Sequence, residues 1–138
     1  FIHGDLCLSN ILYDLNSGVF KLIDPRGIWG SSENGDLKYD VAKLRHSISG
    51  EYDYIIGDLF NINYVNHNEI KYSIFSKSRE NIKQYFDKQI DKEFSINNII
   101  LIQGLLFLSM IPLHKDSEDR QLLMLCKAIE SLNQSIRN

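Results

Sequence analysis

Two short apolar runs near the start of the chain, Ile11-Leu12-Tyr13 and Val19-Phe20-Lys21-Leu22-Ile23, flank Asn16-Ser17-Gly18. Such runs, joined by a short Asn/Ser/Gly segment, predict a β-hairpin. A second pair, Ile62-Asn63-Tyr64-Val65 and Glu69-Ile70-Lys71-Tyr72-Ser73-Ile74-Phe75, flanks Asn66-His67-Asn68 and predicts another. Tyr64, Tyr72 and Phe75 read as cross-strand packing more readily than as ligand contacts. Between the hairpins, residues 28–38 are rich in Gly and Ser and read as a loop, in which Trp29 either lines a pocket or anchors the loop.

Elsewhere the period is helical. Residues 37–49 place Val41, Leu44 and Ile48 on one face, continuing to Tyr52, with Asp36 as N-cap and Gly50 just past the end. Residues 51–59 start a short second helix. Residues 77–91 carry Ile82, Tyr85, Phe86 and Ile90 on one stripe. A helix capped by Ser95 runs to Met110 or Ile111, stopped by Pro112. It is apolar all round, which predicts the centre of a C-terminal helical bundle, and Gly104 within it predicts close approach of another backbone. A last helix, capped by Ser117 and running to about 136, buries Leu122, Leu125, Cys126, Ile129, Leu132 and Ile136. The fold class expected is α+β, mainly helical.

The 138 residues predict a single domain, 1–138, large enough for a real core. A net charge of −3 gives no reason to expect nucleic acid or an anionic membrane as partner. The apolar run 99–113 is interrupted by Gln103, Gly104 and Ser109 and falls short of the ~20 residues of a membrane span. Cys7 and Cys126 have no CxxC spacing and read as reduced thiols, Cys126 in the core. No signal-peptide pattern opens the sequence, so a cytoplasmic location is expected.

The chemistry concentrates in His3-Gly4-Asp5-Leu6-Cys7-Leu8-Ser9-Asn10 and, fourteen residues on, Asp24-Pro25-Arg26. A hairpin pairs the start of its first strand with the end of its second. Asn10 and Asp24 are therefore expected side by side, with Asp5 nearby. Mg²⁺ takes oxygen ligands, commonly one or two carboxylates plus substrate phosphates, and Asn10 with Asp24 fits that need. Asp5, with no metal to hold, is suited to accept a proton from an attacking hydroxyl. Kinase-type phosphoryl transfer divides labour in this way, and its H-R-D-x-x-x-x-N motif appears here as H-G-D-x-x-x-x-N.

The set His3-Gly4-Asp5…Asn10, the Ile23-Asp24 pair and Tyr39-Asp40-Val41-Ala42-Lys43-Leu44 resembles the aminoglycoside phosphotransferase and choline kinase family, the small-molecule branch of the protein-kinase-like fold. The match covers residues 1 to about 44. The resemblance implies the C-terminal lobe of that fold, with ATP and Mg²⁺ as cofactors. Asp5 would be the catalytic base, Asn10 and Asp24 the metal ligands, Asp40 a structural support and His3 a scaffold between the loop and the Asp24 region. Arg26 departs from the many relatives that carry an aromatic or acidic residue there. It reads either as a contact to an anionic group of substrate or nucleotide, or as a salt bridge to Glu33 or Asp36. Cys7 and Ser9 border the acceptor pocket or permit close backbone approach.

No phosphate-cradling glycine pattern occurs in the chain. The expectation is a C-terminal lobe whose N-terminal lobe lies elsewhere in a larger protein, with little activity alone. The function expected is an ATP- and Mg-dependent phosphotransferase acting on a small-molecule hydroxyl, of a sugar, an amino alcohol or an aminoglycoside. The alternative is a non-catalytic kinase-like remnant used for binding or regulation. A two-metal hydrolase ranks last, because His46, His67 and His114 do not sit at ligand spacing.

Overall fold

The computed structural model describes residues 1–27, 34–66, 69–77 and 80–137. Trp29, Glu33, His67 and Asn68, named above, lie outside the described residues. After a 3-10 turn at Leu8–Asn10, strand β1 (Ile11–Tyr13) pairs antiparallel with β2 (Phe20–Leu22), Ile11 facing Leu22. The turn between them is built by Asp14, whose carboxylate accepts from the Asn16 N–H at 2.9 Å and the Ser17 hydroxyl at 2.6 Å. Gly18 follows at φ 69°, a left-handed conformation that glycine adopts without steric penalty.

Helix α1 spans Leu37–Ile48 and α2 spans Tyr52–Ile56. Asp36 caps α1 as expected, accepting from the Lys38 N–H at 2.9 Å. Gly50 does its work differently from expectation. The left-handed residue after α1 is Glu51, at φ 62°, while Gly50 lies so close to the His46 carbonyl and the Phe107 ring that a Cβ has no room. Strands β3 (Phe60–Asn66) and β4 (Glu69–Ile74) form the second antiparallel hairpin. Three helices complete the chain: α3 (Glu80–Ile90), α4 (Ile96–Met110) with a 3-10 turn at Ile111–Leu113, and α5 (Glu118–Arg137).

Helix α4 is central, packed against both α1 and α5. Gly104 lets α5 approach: a Cβ there would meet Leu132 at 2.9 Å and the Ala128 carbonyl oxygen at 3.3 Å. One core cluster joins Tyr52, Ile55, Phe107, Leu123, Met124 and Ala128, with the β3–β4 hairpin packed over it. A second joins Ala42, Ile90, Ile99 and Leu106. The segment Ile96–Leu113 is long and apolar enough to cross a membrane by length and composition. In the fold, Ile99, Ile100, Leu106 and Phe107 are buried while Leu101 and Leu105 face outward.

Three of the expected helix faces are corrected by the structure. On α1 the buried residues are Asp40, Ala42, Lys43, Arg45, His46 and Ser47, whereas Val41, Leu44 and Ile48 are only half-buried. On α5 the buried set is Leu123, Met124, Ala128 and Ser131, about one residue round from the stripe read from the sequence; Leu125, Ile129 and Ile136 are exposed. On α3, Ile82 and Tyr85 are exposed and Ile90 alone is fully buried.

The reason is a polar network through the bundle. Arg45 of α1 donates to both carboxylate oxygens of Asp87 on α3 at 2.8 Å and to the Gln103 side-chain oxygen of α4 at 2.6 Å. The Gln103 amide in turn donates to Ser131 of α5 at 3.1 Å. Buried polar groups of this kind are tolerable because each finds a partner, and the bidentate Arg–carboxylate geometry is the strong form.

Candidate active site

The loop from His3 to Asn10 is held by one face of α1. Asp40 accepts from the His3 backbone N–H at 2.6 Å and from the Gly4 N–H at 2.8 Å. Lys43, one turn on, forms an ion pair with Asp5 Oδ1 at 2.8 Å. Ser47, a further turn on, accepts from the Leu8 N–H at 3.3 Å. Positions 40, 43 and 47 share a helical face, and each anchors a different point of the loop.

The second strand closes the loop from the other side. His3 Nε2 lies 3.0 Å from the Ile23 carbonyl oxygen, and the Arg26 N–H donates to the His3 carbonyl at 2.8 Å. Gly4, at φ 77°, has no room for a Cβ: one would meet Arg26 Cβ at 2.9 Å. Both the backbone conformation and the close approach therefore require glycine between His3 and Asp5. His3 ties the loop to the Ile23–Arg26 segment, and Asp40 holds the His3 and Gly4 backbone N–H groups.

Asp5 and Asn10 are in contact. Asn10 Nδ2 donates to the Asp5 backbone oxygen at 2.9 Å and lies 3.4 Å from Asp5 Oδ2. The amide nitrogen is thereby turned toward Asp5, which turns the amide oxygen, the atom able to ligate a cation, the other way. The Ile23 N–H donates to the Asn10 carbonyl at 3.0 Å, so Asn10 stands opposite Ile23, one residue short of the expected Asp24. Asp24 follows at φ 52°, exposed, and its carboxylate bonds no described residue. Aspartate accepts this left-handed conformation more readily than most residues.

Among the described residues no group of three or more His, Cys, Asp and Glu side chains gathers as a metal cage. One carboxylate and one amide oxygen nevertheless suit Mg²⁺, which binds through few protein ligands and keeps waters or phosphates for the rest. The donor set fits that ion and does not fit a structural zinc site.

Lys43 was not singled out from the sequence. Its side chain is 4% exposed, and its ammonium lies 5.7 Å from the Tyr52 ring centroid and holds one oxygen of Asp5 while leaving the other toward Asn10. Burial, reinforced by the negative charge of Asp5, pushes the Tyr52 phenol up to about 12, so it stays neutral here. A signal was present: Asp40, Lys43 and Ser47 repeat at helical spacing directly after the Asp24 motif. Cys7 is buried, its sulfur 3.2 Å from the Ser9 hydroxyl. Cys126 is half-buried, with burial raising its thiol pKa.

Arg26 is hydrogen-bonded to the Tyr39 phenol. Asp36, one salt-bridge partner expected for it, pairs with Lys38 at 3.3 Å. Arg26, Tyr39 and Lys43 border a cavity of about 510 Å³ whose remaining wall is Ile102, Leu105, Leu106, Ser109, Met110 and Leu113. No family model, curated protein or solved structure matches this chain.

Proposed function

We propose that the chain is the catalytic lobe of an ATP- and Mg-dependent phosphotransferase acting on a small-molecule hydroxyl, with a protein-kinase-like C-terminal lobe as its fold. One observation carries the reading: the Asp5 carboxylate and the Asn10 amide meet on a loop fastened at three points by α1, and Asp24, two residues past β2, bonds no described residue through its carboxylate. In this reading the Asp5 carboxylate accepts the proton, and Lys43 and Asn10 fix its orientation.

In the reaction, the acceptor oxygen forms a bond to the γ-phosphorus of ATP as the bond to the β-bridging oxygen breaks. ADP leaves, and the hydroxyl proton passes to Asp5. Bound Mg²⁺ would neutralise the phosphate oxygens. Asn10 and Asp24 are the residues that would hold it, and Lys43 keeps Asp5 from turning into that position.

The test begins with metal, which requires no other lobe. Mn²⁺ added to the isotope-labelled chain should broaden the amide resonances around residues 10 and 24 first, and Asp24→Asn should abolish this. In any longer polypeptide that contains the chain and phosphorylates an alcohol, Asp5→Asn should reduce kcat by about 10²–10⁴-fold. Broadening centred elsewhere, or turnover indifferent to Asp5→Asn, would refute the reading.

A further inference from the structure

Helix α5 carries its longest apolar stripe on the side away from the core. Leu122, Leu125, Ile129, Leu132 and Ile136 follow one another at intervals of three and four residues, the spacing of one helical face. Leu125, Ile129 and Ile136 are exposed, and Leu122 and Leu132 are half-buried. The residues of α5 that are buried, Leu123, Met124, Ala128 and Ser131, lie on the other side. Helix α4 repeats the arrangement. Leu101, Leu105 and Leu108 are exposed at the same spacing, while Ile99, Ile100, Leu106 and Phe107 are buried.

The two stripes make one surface. The Gln121 side chain donates to the Ile111 carbonyl and the Gln103 side chain to Ser131, so α4 and α5 run antiparallel. Gly104 meets Ala128 and Leu132 at the seam between them. In both helices the stripe lies about a quarter-turn from the seam, in the sense in which the helix winds. Antiparallel helices wind in opposite senses seen from one end, so both stripes face the same way. The helices have 15 and 20 residues, about 22 and 30 Å, and pack at about 8–10 Å. The face therefore measures roughly 20 by 25 Å, about 500 Å² in projection and more as accessible surface. That approaches the ~800 Å² each partner buries in a standard interface, and exposed apolar patches of several hundred Å² mark interaction sites.

Charge selects the occupant. Helix α4 contains no charged residue. On α5, Glu118 stands at the start of the stripe and Arg137 beside its end; both are exposed, and neither pairs with a described residue. A two-fold axis lying in the face and crossing the helices lays α5 antiparallel on a second α5. Glu118 then meets the partner's Arg137, and Arg137 the partner's Glu118. A bilayer fits less well, because Glu118 and Asp119 put acid where lipid headgroups attract Lys and Arg.

We infer that α4 and α5 form a self-association face whose occupant is a second copy of this chain, the four helices packing across a two-fold axis. Analytical ultracentrifugation should show a dimer with a Kd below about 100 µM. Ile129→Glu, and independently Leu105→Lys, should raise Kd at least about 30-fold while far-UV circular dichroism stays that of the folded chain. Glu118→Lys should weaken association about 3- to 10-fold, and adding Arg137→Glu should restore Kd to within about 2-fold of the parent. Tyr64→Glu, exposed on the β3–β4 hairpin, should leave the dimer intact. A Kd above about 100 µM, a dimer indifferent to both Ile129→Glu and Leu105→Lys, or charge reversal without rescue would overturn the inference. A monomer that sediments with vesicles of phosphatidylcholine and phosphatidylglycerol would overturn it too, and assign the face to lipid.

Discussion

The Asp5–Lys43 ion pair makes unequal demands on its partners, and a double-mutant cycle exposes this. Lys43 keeps 4% of its side-chain surface and Asp5 keeps 37%. At 2.8 Å two unit charges attract by about 6 kcal/mol at an effective dielectric of about 20, and by about 1.5 kcal/mol at that of water. Desolvation of the ammonium offsets much of this. Breaking a fully buried pair costs about 3–5 kcal/mol, and the solvent reaching Asp5 lowers the expectation to about 2 kcal/mol. Asp5→Asn keeps the shape but strands a buried ammonium, so it should lose about 2 kcal/mol. With about 2.1 cal/mol/K per residue over 138 residues, that is a fall in Tm of about 7 °C. Lys43→Met keeps the aliphatic stem and releases Asp5 to water, so it should change stability by less than about 1 kcal/mol. The double variant should lie within about 1 kcal/mol of the parent, a coupling of about 2 kcal/mol. Urea unfolding followed by far-UV circular dichroism measures all four corners. A coupling below about 0.5 kcal/mol, the value of an exposed pair, would mean that α1 does not hold the loop through this contact.

Three further outcomes follow from particular residues. His46 is fully buried against Phe107 and Tyr52, with ring centroids 4.0 and 4.4 Å away, and neither ring nitrogen finds a partner among the described residues. Burial, with Lys43 and Lys127 adding positive charge, holds its pKa well below the usual 6.5. The unfolded chain therefore takes up a proton that the folded chain refuses, and stability falls as pH drops below 6.5. His46→Leu should stabilise at pH 7.5, and by about 1.4 kcal/mol more at pH 5.5, read from urea midpoints. Gly104→Ala gains about 1 kcal/mol of helix propensity, yet it should lower Tm, because the new methyl meets Leu132 and the Ala128 carbonyl. Asp24→Asn should leave stability within about 0.5 kcal/mol, since the carboxylate is exposed and bonds no described residue, while Mn²⁺ binding is lost.

The elements themselves were largely legible in the sequence, and the faces they bury were not. Turn chemistry is local: Asn16-Ser17-Gly18 marks the first hairpin, and Asp36 and Pro112 mark helix ends at the residues beside them. Burial is set by partners distant in sequence. The α1 stripe Val41, Leu44, Ile48 has the right period, but the opposite face is buried because Arg45 finds Asp87 and Gln103 on helices that begin 35 and more residues later. On α5 Ser131 points inward to meet Gln103 of α4, and Gly104 leaves the room that Leu132 and the Ala128 carbonyl take. A hydrophobic period measures apolar surface; it does not register a polar residue that is buried with its partner.

The candidate site divides in the same way. The spacing of Asp5, Asn10 and Asp24 is a local property of loop, strand and turn, and the hairpin register brings Asn10 to within one residue of the expected neighbour. What fixes the loop is non-local: Asp40, Lys43 and Ser47 reach back 36 to 39 residues to take hold of Gly4, Asp5, Leu8 and the His3 N–H. A loop with only the local motif would be free to let Asp5 cap its own turn, the ordinary role of an aspartate there. With α1 in place, Lys43 holds one Asp5 oxygen and Asn10 lies over the other, so the carboxylate is held in one orientation. Preorganisation of this kind raises rate only if the held geometry matches the reacting one. The same lysine that orients Asp5 also borders the cavity, so one side chain links the loop carboxylate to the cavity wall.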